Sequence, residues 1–265
     1  MPPAAALSID ALAVTLGAER ILQSVSLTIM PGDRVALLGE SGSGKSMTAR
    51  AALGLLPADA VVTGRVAVDG IDVTHASALQ RPDRARPAMV MQDTLAALNP
   101  LATIGYQLEQ PLRRSGLGRA AARAAALELL DLVGLPDPAR MARRVSPELS
   151  GGQRQRVCIA IALACDARVI IADEATSSLD VVTQAQILRL LRGVTAAPGG
   201  PGLLFITHDL HAAAHLCDSA VVIQAGRVVE HAPMARIVSA PQHDHTRRLI
   251  ASAARCGIAC ERLFA

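Results

Sequence analysis

A glycine-rich segment, GESGSGKS, follows the apolar run RVALL and precedes a helical pattern. It fits the P-loop motif G-x-x-x-x-G-K-S, in which backbone N–H groups at a helix N-terminus converge on phosphate oxygens. The lysine of this motif reaches the β and γ phosphates, and the serine hydroxyl binds Mg²⁺. The preceding strand, the full spacing and the Lys-Ser pair argue against a chance glycine turn. We therefore predict a site for a nucleoside triphosphate and Mg²⁺. Its predicted residues are Gly39, Glu40, Ser41, Gly42, Ser43, Gly44, Lys45, Ser46 and Met47.

Two carboxylates stand at the end of another apolar run, in RVIIADEATSSLD. Asp173 ends the predicted strand, so its carboxylate would lie beside the P-loop and hold Mg²⁺ through water. Glu174 comes one residue later. Phosphoryl transfer to water depends on positioning and charge stabilisation, and a carboxylate near the γ phosphate can orient and polarise the attacking water. The alternative is an acidic pair that merely ends a strand, but the P-loop upstream favours a catalytic role for Glu174.

A second glycine-rich segment occurs in VSPELSGGQRQRV, at positions 145–157. As local structure it predicts a helix start, with Ser150 as the N-cap and two glycines that ease the turn. A serine hydroxyl and glycines at a helix N-terminus also form an anion site, and this one has no lysine and no metal ligand. We predict that this second cradle contacts a phosphate already held elsewhere. Its predicted residues are Ser150, Gly151, Gly152 and Gln153.

The elements that must position these residues follow from hydrophobic patterning. Apolar runs rich in Val, Ile and Leu alternate with helical segments, which predicts an α/β fold with a mostly parallel central sheet. The runs LSIDALAVTL, ILQSVSLTI and GRVAVDG predict an N-terminal antiparallel β lobe, and GRAAARAAALELLDLVGL predicts an α-helical insertion. The predicted organisation is a single domain over residues 1–265. It has a RecA-like core with the β lobe over 1–99 and 148–240, a helical subdomain over 100–147 and a short C-terminal tail over 241–265.

Composition narrows the classes of protein. With 51% hydrophobic and 18% charged residues, the chain is of globular type. The net charge of +3 and the near absence of aromatic residues give no support for nucleic-acid binding. The N-terminus lacks a basic n-region, and Asp10 interrupts its apolar stretch, so no signal peptide is predicted. The longest apolar run, VCIAIALAC, is too short to span a bilayer. We predict a cytoplasmic protein whose membrane contact comes through partner proteins.

The cysteines fit neither a disulfide framework nor a standard zinc pattern. Those at 158, 165 and 217 lie in apolar runs and are predicted to be small core residues. Cys256 and Cys260 are close enough to share a site, although two ligands alone would not complete one. His243 and His245 nearby leave a metal-sensing tail as an alternative, but a solvated helix end is the preferred interpretation.

The P-loop, LSGGQ, DEATSSLD and FITHD, in this order, resemble the ATP-binding subunits of ABC transporters, and the resemblance covers nearly the whole chain. It implies the ABC ATPase fold, ATP as the nucleotide and a head-to-tail pair in which LSGGQ of one subunit closes over the γ phosphate held by the other. Gln92 would match the Q-loop glutamine, which senses the γ phosphate and Mg²⁺ and links to the transmembrane subunits. His208 would match the switch histidine that contacts the γ phosphate, and residues 177–180, ending in Asp180, the D-loop along the dimer seam.

Two positions depart from the family pattern. Ala175 stands where the family usually has proline, a change expected to be mild. Leu16 falls where most relatives place an aromatic side chain that stacks on adenine. The adenine contact is therefore predicted to be aliphatic.

The segments QDTLAALNPLATIG and APQHDHTRRL resemble the branch that imports dipeptides, oligopeptides and nickel. Many peptide-importing relatives extend well past the second segment, whereas this sequence ends soon after it, which favours the nickel importers. The resemblance implies four partners: two transmembrane permease subunits, a second ATP-binding subunit, commonly a paralogue, and a solute-binding protein. It places the chain as a peripheral subunit at the cytoplasmic face of the inner membrane. One rival interpretation is a soluble ABC ATPase, but such proteins carry two cassettes or a long coiled coil, and this sequence has one cassette and no sustained heptads. Another is a nucleotide-binding module without turnover. Such a module would be expected to lack Glu174 or His208, and both are present.

Overall fold

The computed structural model describes residues 4–177 and 179–255 of the 265-residue chain. Its strands, in chain order, are β1 (Leu7–Leu16), β2 (Glu19–Ile29), β3 (Arg34–Leu38), β4 (Val61–Val68), β5 (Ile71–Asp72), β6 (Ala88–Met91), β7 (Val169–Asp173), β8 (Gly202–Ile206), β9 (Ser219–Gln224) and β10 (Arg227–Pro233). Its helices are α1 (Lys45–Leu53), α2 (Thr94–Ala97), α3 (Ile104–Arg114), α4 (Arg119–Leu132), α5 (Pro138–Met141), α6 (Gly151–Ala164), α7 (Val181–Ala196), α8 (Leu210–Leu216), α9 (Met234–Ser239) and α10 (Asp244–Arg255). Cys256 and Cys260 lie outside the described residues, and the idea of a shared site there stays a prediction.

The strands form two sheets. The central sheet has the order β10-β9-β3-β8-β7-β6, in which only the β9–β10 pair is antiparallel. A separate sheet of order β2-β1-β4-β5 is antiparallel throughout, as predicted for the N-terminal lobe. The predicted α/β class is therefore confirmed.

The register of the central sheet determines where the site forms. Leu37 of β3 pairs with Ile206 of β8, Ile206 with Asp173 of β7, and Asp173 with Met91 of β6. Because these strands are parallel and end at the same level, the loops that follow them leave from one edge of the sheet. Those four loops carry the P-loop, His208, Glu174 and Gln92.

Both faces of the central sheet are covered. Successive residues of a strand point to opposite faces, and in β8 Leu203 and Phe205 belong to one apolar cluster while Leu204 and Ile206 belong to another. All four are fully buried. This explains why these strands appear in the sequence as continuous apolar runs rather than as alternating ones.

The helical insertion packs through a regular apolar stripe. Buried residues recur every four positions in α3, at 104, 108 and 112, and in α4, at 122, 126 and 130. Two of the three in α4 are alanines, so the two helices can approach closely. A β-bridge joins Thr103 to Val145, so the two ends of this helical segment lie side by side. The limits of 100 and 147 for a helical subdomain stay a prediction.

Two expectations about small features are corrected. Cys158 and Cys217 are buried as predicted, but Cys165 is exposed because it follows the last turn of α6. The prediction of a solvated helix end is wrong for His245, which is only 1% exposed. The tail turns toward the core because the carboxylate of Glu230 accepts hydrogen bonds from the backbone N–H groups of residues 242 and 243, at 2.9 and 3.0 Å.

Among residues 4–177 and 179–255, no three His, Cys, Asp or Glu side chains converge as they would around a metal ion, and no helix is long and apolar enough to cross a bilayer.

Sequence patterns did not predict the role of Arg81, which is 1% exposed. Its guanidinium donates to the carbonyls of Ala51 and Ala52 in the last turn of α1 and to those of Val73 and Ala76 in the antiparallel lobe. Burial lowers the pKa of Arg81 to about 10, so it stays charged at neutral pH. A cation at a helix C-terminus is favourable. Arg81 therefore fixes the far end of the helix that begins at the P-loop.

Candidate nucleotide site

The P-loop is the turn between β3, which ends at Leu38, and α1, which begins at Lys45. Thr48 is the first helical residue whose N–H bonds back along the chain, to the Gly44 carbonyl at 2.9 Å. Within the described part of the chain, the N–H groups of residues 44–47 have no backbone acceptor. They are the donors that the motif offers to phosphate.

Close approach explains two of the P-loop glycines. A Cβ on Gly39 would lie 2.3 Å from the Ile223 carbonyl, and one on Gly44 would lie 2.6 Å from a methyl group of Leu22. The loop is therefore pressed between β9 and β2. A side chain at either position would displace the backbone that receives the phosphates.

Gly226, which sequence reasoning missed, joins the two sheets at the site. Its N–H donates to the Ser43 carbonyl at 2.9 Å, and its carbonyl accepts from the N–H of Gln23 on β2 at 2.7 Å. Its φ of +75° favours glycine, and a Cβ would lie 2.2 Å from the Ile21 carbonyl. The available signal was the turn-forming AG between the apolar runs SAVVIQ and RVV.

Lys45 is the only lysine in the sequence. Its ammonium donates to the carbonyls of Gly39 at 2.8 Å and Glu40 at 2.9 Å, so it lies folded inside the loop. Burial lowers the pKa of Lys45, while the charges of Glu174 and Asp173 act in the opposite direction. The lysine and both carboxylates are therefore close enough to influence one another's charge.

We expect Lys45→Ala to weaken ATP binding about 10- to 150-fold, because a charge-assisted contact of about 1.5–3 kcal/mol is lost. Equilibrium titration with ATP measures this, with Arg236→Ala, which removes an exposed arginine of α9, as the control. A single lysine also allows a direct probe: ATP should protect Lys45 from an amine-reactive label. An unchanged affinity together with unprotected labelling would remove Lys45 from the phosphate site.

Glu174 and His208 meet at the ends of adjacent strands. Glu174 has a φ of +51°, its N–H donates to the Ile206 carbonyl at 2.9 Å, and its Oε1 lies 2.8 Å from Nδ1 of His208. Burial raises the pKa of the neighbouring Asp173, and the charge of Glu174 raises it further, whereas Lys45 and Arg50 oppose both effects. Gln92 is exposed one residue past β6, the next strand of the sheet.

Two buried polar atoms test whether the site fits ATP and Mg²⁺. Ser43 Oγ in the loop and Glu174 Oε2 are buried and have no hydrogen-bond partner in the described chain. Buried polar groups are ordinarily paired, so each needs a ligand or water. A phosphate oxygen beside Ser43 and a water beside Glu174 would supply these partners. The exposed Ser46 hydroxyl, in the first turn of α1, is free to bind a cation.

The second cradle forms the start of α6. Ser150 Oγ accepts from the N–H of Gln153 at 3.3 Å, and Gln153 Oε1 accepts from the N–H of Ser150 at 3.0 Å, a reciprocal capping box. A Cβ on Gly152 would lie 2.7 Å from a methyl group of Thr183, whereas one on Gly151 would meet nothing. Within the described residues, no hydrogen bond or ion pair joins residues 150–153 to residues 39–47. Polar contacts within the described residues therefore do not connect the two cradles of one chain.

The segment predicted to be the D-loop runs into α7. Asp180 caps this helix by accepting from the N–H groups of Val182 at 3.1 Å and Thr183 at 3.0 Å. Its hydrogen bonds with Thr183 lower the pKa of this carboxyl. Ser178, in the same segment, lies outside the described residues.

Leu16 is the last residue of β1, half-buried, and it pairs with Glu19 across the β1–β2 hairpin. Strand β2 of that hairpin contacts the P-loop through Leu22 and the Gly226 turn through Gln23. Tyr106 in α3 is 57% exposed, and Phe205 is buried in β8. Of the aromatic side chains, Phe264 lies outside the described residues.

We expect Leu16→Tyr to tighten ATP binding about fivefold or more, the low end of the roughly 1–3 kcal/mol that base stacking on an aromatic ring contributes. The unmodified chain should discriminate poorly between ATP and GTP, because the phosphate contacts are common to both. Titration of both proteins with both nucleotides measures this, and Leu79→Tyr, at a leucine that is 89% exposed, is the control. An unchanged ATP affinity in Leu16→Tyr would mean that Leu16 does not face the base.

Three features define a nucleoside triphosphate hydrolase of the P-loop class. They are the P-loop after β3, the acidic pair at the end of β7, and a histidine hydrogen-bonded to the second carboxylate of that pair. The ABC transporter family matches residues 22–177, more than half of the sequence, and the chain therefore belongs to that family. It is an ATP-binding subunit with ATP hydrolase activity, and its fold is that of an ABC ATPase.

Known proteins agree with this assignment. The chain is 42% identical over 247 residues to the Escherichia coli protein named "Probable D,D-dipeptide transport ATP-binding protein DdpD", covering 91% of this chain and 75% of that protein. It is 45% identical over 215 residues to the oligopeptide transport ATP-binding protein OppD of Mycobacterium tuberculosis, covering 80% of this chain and 35% of that protein. Among solved structures, a dimeric post-hydrolysis state of the ATP-binding cassette MJ0796 with ADP and phosphate aligns with a TM-score of 0.71 at 29% identity. That alignment covers 86% of this chain and 98% of the other.

Proposed function

We propose that this chain powers the import of peptides by hydrolysing ATP as one of two cassettes beneath a pair of permease subunits. The observation that carries the proposal is the alignment of four loops at one sheet edge, with Lys45, Asp173, Glu174 and His208 in electrostatic or hydrogen-bond contact. Relatives named for dipeptide and oligopeptide transport support the choice of solute.

In this proposal the P-loop, residues 39–47, holds the phosphates of ATP, and Leu16 contacts the base. Ser46, Gln92 and Asp173 are the residues that would hold Mg²⁺, which would neutralise negative charge on the phosphates. Glu174 orients the attacking water through Oε2, the oxygen that has no protein partner. His208 contacts the γ phosphate and holds the other oxygen of Glu174, at 2.8 Å. Gln92 links the nucleotide to the permease.

The second cradle is proposed to act on a partner's ATP. Ser150 and Gly151 are exposed, and so are Val181 and Val182 beside Asp180, at 81% and 66%. Exposed valines next to an exposed anion site fit a surface that another cassette covers. The MJ0796 cassette, which was solved as a dimer, supports this arrangement. The partner cassette is proposed to be a paralogue.

The permease subunits are proposed to dock beside Gln92. Four large apolar side chains are exposed there and in the adjoining start of the helical insertion: Met91 at 37%, Leu95 at 57%, Leu101 at 91% and Tyr106 at 57%. Such a group of apolar side chains on a surface fits a protein interface. Gln92 would then lie between this interface and the γ phosphate, at the cytoplasmic face of the inner membrane.

The solute is proposed to be a peptide rather than nickel. The tail length, which favoured nickel, is a weaker indicator than relatives named for dipeptide and oligopeptide transport. A solute-binding protein would deliver the peptide to the permease pair, so the specificity is not expected to lie in this chain.

The test is uptake in a strain that lacks this gene. Restoring the chain should restore uptake of labelled dipeptide or oligopeptide, and the Glu174→Gln variant should not. Uptake of labelled nickel instead would overturn the choice of solute but keep transport. An affinity-tagged chain should co-purify with two permease subunits, and its recovery without membrane proteins would favour a soluble ABC ATPase.

A further inference from the structure

Positive charge is concentrated in the helical insertion. Residues 113–144 contain seven arginines and three carboxylates, a surplus of four, whereas the whole chain has a surplus of only three. The rest of the protein therefore has a slightly negative balance. The small net charge of the chain is therefore compatible with a strongly basic segment at residues 113–144.

The fold gathers these arginines on one surface. A groove of about 310 Å³ between α3, α4 and the segment after α5 is lined by Arg119, Arg123 and Arg143 together with Tyr106. It continues, through the shared Arg143, into a depression of about 620 Å³ that Arg140 also lines. We call the four exposed arginines the arginine face: Arg119, Arg123, Arg140 and Arg143.

Ion pairs within the described residues do not neutralise this face. In the described part of the chain, none of its four guanidinium groups has an ion pair or a hydrogen bond. Two carboxylates also line the depression, and each accepts a backbone hydrogen bond: Asp137 from the N–H of residue 140 at 3.2 Å and Glu148 from that of Val145 at 3.2 Å. Neither forms an ion pair with these arginines within the described residues. Glu109, at the edge of the groove, forms no ion pair within the described residues.

The arrangement does not help the insertion to fold. Arg119 and Arg123 are four residues apart in the first turns of α4, so they lie on one side of the helix and repel each other. The first turn of α4 has no acidic residue, and the helix dipole disfavours cations at that end. Because these unpaired arginines destabilise their own helix, we expect them to serve in binding rather than in folding.

We propose that the arginine face binds the anionic headgroups of membrane phospholipids. Guanidinium groups match phosphate oxygens with two parallel hydrogen bonds, and basic clusters are attracted to anionic membrane surfaces. The inference rests on the proposed function, because it needs a subunit that works at the membrane. It adds a direct lipid contact to the contact made through the permease.

Lipid is favoured over an acidic protein segment because the arginines come from α4, from α5 and from the segment after α5 and surround an open groove. Lipid headgroups move independently of one another, so each can bind whichever arginine it reaches. A single acidic peptide would have to place its carboxylates opposite all four arginines at once.

The test is binding of the purified chain to vesicles, without permease, at low and physiological salt. Vesicles of phosphatidylcholine with about 30% phosphatidylglycerol should bind the chain, and phosphatidylcholine alone should not. Each arginine near an anionic surface is worth about fivefold, so the double substitution Arg119→Ala, Arg123→Ala should weaken vesicle binding about 25-fold. ATP affinity should not change, because neither residue belongs to the nucleotide site. Thermal unfolding should occur at the same or a slightly higher temperature, because two mutually repelling charges are removed from α4.

The control is the double substitution Arg84→Ala, Arg236→Ala, which removes the same charge at exposed sites outside the insertion. It should retain vesicle binding, and an equal loss would show that only net charge matters and overturn the proposal. Equal binding to both vesicle types would overturn it too. If vesicle binding is unaffected by the first pair but capture by detergent-solubilised permease is lost, the partner is an acidic protein segment. Because the vesicles contain no permease, the outcomes of vesicle binding are independent of whether transport itself is demonstrated.

Discussion

Glu174→Gln should reduce steady-state ATP hydrolysis about 10²- to 10⁴-fold, the range that general-base catalysis contributes, while ATP binding persists. The amide has the size of the carboxylate, so the contact with His208 at 2.8 Å and the backbone bond to the Ile206 carbonyl need not be lost. The buried Oε2 position, however, can no longer accept a proton from water. The P-loop donors are unchanged, and ATP should therefore accumulate on the protein.

Hydrolysis is measured as phosphate release and ATP binding by equilibrium titration. Glu128→Gln makes the same chemical change on the exposed side of α4 and should behave as the unmodified chain does. Phosphate release by Glu174→Gln within a few fold of the unmodified rate would exclude Glu174 as the catalytic carboxylate. A parallel loss of ATP binding would instead assign Glu174 to nucleotide affinity.

Ser150→Arg should abolish hydrolysis in the assembled pair of cassettes and leave ATP binding by the isolated chain intact. An arginine side chain would fill the small anion site at the start of α6, where Gly151 leaves open space. The nucleotide on the partner could then not be enclosed. The P-loop of the same chain should be unaffected, because no described hydrogen bond or ion pair connects it to residues 150–153.

Ser150→Ala separates the loss of the helix cap from the blocking of the anion site. It removes the hydroxyl that accepts from the N–H of Gln153, at a cost of about 1 kcal/mol to the helix, but adds no bulk. It should retain most of the hydrolysis. If Ser150→Arg loses ATP binding as an isolated monomer, the second cradle acts within its own chain and the proposed arrangement in trans is wrong.

Local sequence was sufficient wherever the chemistry depends on consecutive residues. The P-loop needs glycines, a lysine and a serine at defined spacing between a strand and a helix, and all of these are visible in GESGSGKS. The capping box of Ser150 and Gln153 closes within a single helical turn. The helical insertion was equally evident, because a four-residue apolar repeat is a property of the helix itself.

Contacts between distant parts of the chain required the tertiary structure. Glu174 meets His208, 34 residues away, because β7 and β8 are neighbours in register, and strand order is set by packing rather than by adjacent residues. Gly226 joins Ser43 to Gln23, Arg81 caps the P-loop helix from the antiparallel lobe, and His245 is buried by a tail that hydrogen bonds to Glu230 hold in place. The sequence by itself therefore determined the reactive groups and the local shapes that present them. Only the packing of the two sheets and the insertion decided which groups meet, because burial of apolar surface depends on the whole chain.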